Sequence, residues 1–194
     1  MKEKVSTVLK KHMALDLDES VECLLDKYCT FDDFQKNSIV INQGDNLINL
    51  YFIIKGLVRA YYIDKEGNDI TKNFAAENDF FSTKGLICCN PSLFYVECLE
   101  NCRCIRIPYI VLNDIMEKNE NIYKVFSHYI FAAMEILEVR TRDLVMKSAE
   151  ERYIIFLEQY YNLEPRINQR HIASYIGIKT GSLSRIKKQI RLKN

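Results

Sequence analysis

The spacing of apolar residues changes along this chain, and each change predicts a change of element. Residues 5 to 30 carry them three and four apart, the spacing of helix. Asp16 or Asp18 caps a second, turn-rich piece in which Val21, Leu24 and Leu25 pack inward. From Ser38 the period shortens to that of strands, in SIVINQGD, NLYFIIKGLVRAYYIDKEGNDITKNF and FYVECLENCRCIRIP. Gly44-Asp45, Lys55-Gly56 and Glu66-Gly67-Asn68 supply the turns between them, so Phe34 to Pro108 is predicted to form an antiparallel barrel or jelly roll. After Tyr109 the helical period returns, and no Gly or Pro interrupts Asn121 to Lys147. There Phe126, Ile130, Ala133, Leu137 and Leu144 fall at heptad-like intervals, with Val125, Tyr129, Ile136 and Val139 widening the stripe. So broad a stripe exceeds what a small barrel covers, which predicts the same helix of a second subunit as its partner. Packing on the barrel and the terminal domain alone is the other reading.

The stretch Asn168 to Lys188, NQRHIASYIGIKTGSLSRIKK, reads as a DNA-binding helix-turn-helix. Ile172 and Ile176 share one face of a first helix, and Ala173 sits where only a small side chain lets a second helix cross. Gly177 follows the last apolar residue, where positive φ turns the chain at once. Ile178 caps the small core, and Leu183 and Ile186 give the second helix its inward face. That leaves Lys179, Thr180, Ser182, Arg185 and Lys188 pointing outward, a face of phosphate and base-edge binders.

Apolar spacing of this kind also suits an ordinary helical hairpin, and charge decides between the two. The chain totals 27 basic and 26 acidic residues, a formal net charge of +1. From Pro165 to Asn194 there are eight basic residues (Arg166, Arg170, Lys179, Arg185, Lys187, Lys188, Arg191, Lys193) and no acidic one, so the remainder is acidic. A basic tail confined to a helix-turn-helix pattern is the electrostatic footprint of a duplex binder.

At 194 residues, 48% hydrophobic, the chain has room for one large and one small domain. No apolar run follows the basic Met1 to Lys11 segment and none reaches the length of a membrane span, so a cytoplasmic location and no membrane partner are expected. Seven cysteines, an odd number without a CxxC pair, fit reduced thiols. Enzyme signatures fail. Lys179-Thr180-Gly181 and Ser184 to Lys187 match the KTG and SxxK patterns of penicillin-recognising enzymes, but in the wrong order and within one helix. His12, His128 and His171 lack acid and nucleophile partners in any recognisable pattern, and no phosphate-binding glycine loop occurs. No catalytic residue is assigned.

The order helix, β-barrel, long helix, helix-turn-helix resembles the Crp/Fnr superfamily of bacterial transcription regulators over essentially the whole chain. The resemblance is carried by IASYIGIKTGSLSRIKK, by Gly44, Gly56 and Gly67 at the barrel turns, and by the Tyr51-Phe52-Ile53 and Leu57-Val58-Arg59 strands. ERYIIFLEQYYNLEPRINQRHIASYIGI is similar to a short-tailed branch found in Bacteroidetes-type bacteria. The resemblance implies an α+β fold: a double-stranded β-helix (jelly-roll, cyclic-nucleotide-binding-like) sensor barrel with N-terminal helices over residues 1–118, a dimerisation helix over 119–147 and a helix-turn-helix domain over 148–194. It implies a homodimer on double-stranded DNA, reading a roughly palindromic operator with half-sites about one duplex turn apart. RNA polymerase and a small-molecule effector are the further partners to which it points.

The family's base-contacting positions fall on Thr180, Gly181 and Arg185. Arg185 suits guanine, whose O6 and N7 accept two hydrogen bonds from one guanidinium. The family's usual Glu is Gly181 here, so its cytosine contact is missing and no target sequence carries over. Lys179 lies at the helix cap, opposing the dipole unless a phosphate is near, and Thr180 caps instead if the helix starts one residue later. Gln169 and Arg170 are placed for backbone contacts. No strand pair follows Lys188, so contacts made by a wing in other members are expected to be absent.

Cyclic-nucleotide-binding members hold the phosphate with a Gly-Glu pair and an Arg followed by Ser or Thr. In NDFFSTKGLICCNPSLFYVECL, Ser82-Thr83 and Leu93-Phe94 stand near those positions and neither half is kept, so cAMP binding is not expected. Phe81, Ser82, Thr83, Lys84, Leu93 and Phe94 are the effector-pocket candidates, and with Phe80 and Leu86 they suit a less charged ligand or a packed core holding none. An iron-sulfur cluster is the family's other option, and Cys98, Cys102 and Cys104 read as sharing one face of a strand, but cysteine is also a common small core residue. No metal or cofactor is expected and the effector is unknown. The alternative function is a small-molecule-binding or protein-interaction dimer that has lost specific DNA readout.

Overall fold

The computed structural model describes residues 3–13, 16–46, 48–82 and 90–193. Two compact units emerge from its contacts, Met1–Tyr62 with Asn73–Lys124, and Ile63–Lys72 with Val125–Asn194.

The first unit is a jelly roll. Its strands are β1 (Thr30–Phe34), β2 (Ile39–Ile41), β3 (Asn49–Lys55), β4 (Val58–Ile63), β5 (Asp69–Ala75), β6 (Phe80–Phe81), β7 (Tyr95–Cys98) and β8 (Cys102–Pro108). They form two four-stranded sheets ordered β1-β8-β3-β6 and β2-β7-β4-β5. Between the sheets lie Ile41, Tyr51, Ile53, Val58, Val96 and Cys104, joined by Phe81 stacked on Tyr51 at 4.9 Å. Leu50 and Phe52, on the other face of β3, are equally buried, as are Ile105 and Ile107 on β8. A sheet covered on both faces has no polar side, which is why NLYFII reads as a continuous apolar run and not as an alternation.

The second cover comes from helices. These are α1 (Val5–Met13), α2 (Glu19–Tyr28) and α3 (Tyr109–Lys118), burying Val5, Leu9, Val21, Leu25, Leu112 and Ile115. The His12 ring lies edge-on to Phe52 at 6.0 Å, which puts α1 over β3. Asp18 caps α2, its side chain accepting from the Val21 amide at 2.9 Å. The helical reading through residue 30 overran: Cys29 is extended and β1 already begins at Thr30, four residues before the expected start of the β-domain. The polar TFDDF looks like no strand by itself, but it is held along its whole length by β8, from Thr30↔Arg106 to Phe34↔Cys102.

The second unit holds α4 (Glu120–Met146) from Val125 on, α5 (Ala149–Gln159), a 3-10 turn (Glu164–Arg166), α6 (Gln169–Tyr175) and α7 (Thr180–Lys193). Ser148 and Glu151 form a reciprocal capping box that fixes where α5 starts. Tyr153, Phe156, Tyr160, Ile172, Tyr175 and Leu183 make the core. The α+β fold, jelly roll followed by a long helix and a helix-turn-helix, is therefore as expected.

Gly56, between β3 and β4, has φ +112°, and a Cβ there would lie 2.6 Å from Cys102 Sγ and 2.8 Å from Cys102 Cα. Neither the backbone nor the buried thiol has room to give. Replacing Gly56 by Ala is expected to lower stability by about 3 kcal/mol, measured as a lower urea midpoint at unchanged slope.

Candidate nucleic-acid interface

Local chemistry builds the helix-turn-helix. Asn168 caps α6 by accepting from the Arg170 amide at 3.0 Å. Ile172 and Ala173 are sealed inside, and at Gly177 the chain takes φ +73°. The Ile178 amide then donates to the Ala173 carbonyl at 2.9 Å, closing the turn. The Lys179 carbonyl accepts from Ser182 and Leu183, so Lys179 holds the cap position and Thr180 is the first residue of α7. Leu183 is fully buried and Ile186 half-buried, which sets the inward face of α7.

Gln169, Arg170, Lys179, Thr180, Gly181, Ser182, Arg185 and Lys188 are all exposed. The first turns of α6 and α7 carry no acidic residue, so no carboxylate competes for the amides there. Lys187 departs from the basic face: its Nζ meets Glu164 Oε1 at 2.6 Å, with both side chains largely covered. That pair ties α7 to the turn before α6.

A feature absent from the sequence reading is the tip of the β4–β5 hairpin, which belongs to this unit. Ser174 Oγ accepts from the Thr71 amide at 2.8 Å and donates to the Asp69 carbonyl at 3.0 Å. Arg140 Nη2 donates to the carbonyls of Thr71 and Tyr175, each at 2.9 Å, and its guanidinium lies 4.5 Å from the Tyr175 ring centre. The alternating ladder of the hairpin signals nothing of this, because the groups joined lie 103 positions apart in the chain.

On α4 the expected dimer residues Phe126, Tyr129, Ile130 and Leu137 are half-buried and Ala133 is exposed. The most exposed apolar side chains from the helix start to Met134 are others: Tyr123 at 55%, Phe131 at 69% and Met134 at 59%.

In the barrel, Phe81 and Phe94 are buried, the latter edge-on to Tyr62 at 6.0 Å. Ser82 Oγ donates to the Asn49 carbonyl at 3.2 Å. Leu93 does not line an interior: it is 69% exposed, because Ser92 Oγ bonds both the amide and the carbonyl of Phe94 and turns the residue between them outward. Thr83, Lys84 and Leu86 lie outside the described residues. The sequence reading also passed over Arg59, which is only 1% exposed, bonds Glu97 through Nε at 2.7 Å and lies 4.4 Å from the Tyr61 ring centre.

Cys98, Cys102 and Cys104 do not share a strand. Cys98 ends β7 and the other two start β8, because Leu99 to Asn101 carry the chain from one sheet to the other; all three thiols then meet in the core from opposite sheets. Burial pushes the Cys29 and Cys104 thiols up to about 12. A hydrogen bond with Cys102, followed by burial, raises Cys98. The same hydrogen bond lowers Cys102; an iron-sulfur cluster needs several thiolates, and Cys29, Cys98 and Cys104, held neutral in an apolar core, do not suit one. Among the described residues no group of three or more His, Cys, Asp or Glu is placed to hold a metal ion.

Along the chain, a jelly-roll barrel is followed by a long helix and a basic helix-turn-helix. Residues 31–119 match the cyclic nucleotide-binding domain family. The fumarate and nitrate reduction regulatory protein of Vibrio cholerae is 27% identical over 171 residues, covering 78% of this chain and 65% of that protein. Among solved structures, FixK2 from Bradyrhizobium japonicum has a TM-score of 0.77 at 17% identity, covering 85% of each chain. A CRP/FNR-family transcriptional regulator from Thermus thermophilus has a TM-score of 0.69 at 14% identity, covering 85% of this chain and 87% of the other. In sequence and in fold the chain is thus similar to these regulators. It spans about 65% of the length of the curated relatives it matches. Among the described residues no helix is long and apolar enough to cross a membrane.

The thiols give a direct check. Exposed Cys23 is expected to be alkylated by iodoacetamide at neutral pH in the folded protein, whereas Cys29, Cys98 and Cys104 label only after denaturation, as read site by site in peptide mass spectra. Because the folded pKa values of Cys29 and Cys104 are raised, the stability they contribute is fully present below the unfolded thiol value of about 8.5 and is lost as pH climbs toward about 12.

Proposed function

We propose that this protein is a homodimeric, DNA-binding transcription regulator of Crp/Fnr type, working in the cytoplasm. Residues 1–118 form its sensor domain, 119–147 its dimerisation helix and 148–194 its reader. The observation that carries the reading is the exposed face made by Lys179, Thr180, Ser182, Arg185 and Lys188 on a helix whose opposite side is locked by Leu183. That arrangement is what entry into a major groove requires: a rigid helix presenting base and phosphate binders on one side. Gly181, with open space around it, brings the backbone close to the duplex without supplying a base contact. The regulators among the relatives support the same reading. Engagement of RNA polymerase and control by a small-molecule effector belong to it as well.

Dimerisation is supported by α4. Tyr123, Ile130, Met134 and Leu137 recur at seven-, four- and three-residue steps, one side of a helix, and Tyr123 and Met134 are more than half exposed in the single chain. Met134→Glu is expected to weaken self-association roughly 100-fold, read by sedimentation velocity. A dimer of unchanged affinity would move the interface off this face.

DNA recognition is tested with a randomised duplex pool at near-physiological salt, which is expected to enrich an inverted repeat with half-sites about one turn apart. On the enriched sequence, Arg185→Ala should cost about 1–3 kcal/mol and leave non-specific duplex almost untouched. Lys188→Ala should weaken both alike and reduce the salt dependence by about one counterion. Equal loss on all sequences for Arg185→Ala would remove it from base readout.

A further inference from the structure

The second unit contains a cavity of about 370 Å³ that the proposed function does not use, walled by Ala132, Ile136 and Val139 of α4, Ile155 and Phe156 of α5 and Tyr175 of α6. We propose that it is a binding site for a neutral, largely apolar small molecule carrying a carbonyl acceptor, distinct from the barrel.

The walls supply the apolar part of that description, and the volume falls at the small end of ligand pockets. Arg140 supplies the polar part. It lines the cavity, and its buried Nε has no hydrogen-bond acceptor among the described residues, although Nη2 is fully used on Thr71 and Tyr175. A buried N–H left without an acceptor costs about 1–3 kcal/mol, so a ligand carbonyl placed there recovers that free energy and fixes its own orientation.

Charge selects against an acid. Glu135 and Asp143 share the lining with Arg140 and Arg152; Asp143 is held by Arg142 from outside the cavity, and Arg152 is engaged by the carbonyls of Ile176 and Lys147. A carboxylate would meet two like charges in place of one free cation, while a ketone or amide meets none.

The partner helix of a dimer does not fill this space. Ile136 is turned about 160° around α4 from Met134 at 3.6 residues per turn, so the cavity and the proposed dimer face lie on opposite sides of the helix.

The same guanidinium holds the hairpin tip and the carbonyl end of α6, the first helix of the reader. Occupation is therefore felt directly where the helix-turn-helix is seated; this consequence, unlike the site itself, rests on the regulator reading.

Titration calorimetry on the full chain tests the site with three probes of similar length: octanamide, 2-nonanone and octanoate. Saturable binding of the two neutral probes is expected, with octanoate at least about tenfold weaker. Ile155→Trp, which fills the cavity from α5, should weaken the neutral probes at least tenfold while thermal unfolding stays cooperative; Val139→Phe, filling it from α4, serves if the first variant misfolds. No saturable binding by any probe, or undiminished binding in a folded filling variant, overturns the site. Octanoate binding as tightly as octanamide overturns the neutral class. Probe binding without sequence-selective DNA binding would sink the regulator reading alone, and the reverse result would sink the cavity alone.

Discussion

A helix of 27 residues whose only buried side chain is an aspartate sets the terms for this molecule. Burying a large apolar side chain is worth about 1.5–3 kcal/mol, and α4 leaves Tyr123, Phe131 and Met134 without that gain. The helix is nevertheless continuous, because it carries no Gly or Pro and each residue added after nucleation contributes a hydrogen bond. It is thus a strut whose apolar surface exceeds what one chain covers, and the physical basis of the proposed homodimer is that excess. Asp143, buried near its end, is matched by Arg142, whose Nη2 and Nε reach Oδ1 at 2.8 and 3.0 Å. The carboxylate tolerates burial only with such a partner, here its own chain neighbour, whose side chain stays 59% exposed.

Arg140, one turn earlier, turns the strut into a support for the reader. Its planar fork makes two charge-assisted hydrogen bonds to main-chain oxygens while its face lies against Tyr175, a geometry that lysine cannot reproduce. Ser174 on α6 completes the seat with one hydrogen bond accepted and one donated. The helix-turn-helix is therefore held by the end of α4 and by the hairpin tip together, through main-chain hydrogen bonds added to the apolar packing of Ile172 and Tyr175. Such a seat is specific in direction and modest in energy, since a typical internal hydrogen bond contributes about 1 kcal/mol net.

The parts of this structure legible in the sequence are those decided by neighbours in the chain. Ala173, Gly177 and Leu183 specify the helix-turn-helix because helix crossing, positive φ and a three-residue repeat are local requirements, and Ala173 and Leu183 are buried while Gly177 has positive φ. The barrel turns at Gly44, Gly56 and Gly67 were legible for the same reason, each taking positive φ. What stayed hidden depends on partners far away. Lys187 counts as a DNA-facing charge until Glu164, 23 residues earlier, is seen to bind it. Leu93 reads as pocket lining until Ser92 closes its turn, and Cys98 reads as collinear with Cys102 until the chain is seen to change sheets. Arg59, noted only as part of the Leu57-Val58-Arg59 strand, is buried because Glu97 pairs with it across the β4–β7 ladder.

That last pair bears on where a signal enters. The face of the β4–β7 ladder opposite Val58, Ala60 and Val96 holds an arginine bonded to a carboxylate, beside tyrosines stacked at positions 61 and 95, so its cation is already engaged. A phosphate arriving there would have to displace Glu97 from Arg59, exchanging one charge-assisted bond for another at the added cost of exposing a carboxylate to the incoming anion. In the reader, Arg140 faces the opposite situation: one donor idle, apolar walls around it, and its other bonds spent on the seat of α6. A neutral acceptor there needs to displace nothing. For the small-molecule site proposed above, the balance of satisfied and unsatisfied groups favours Arg140 over Arg59.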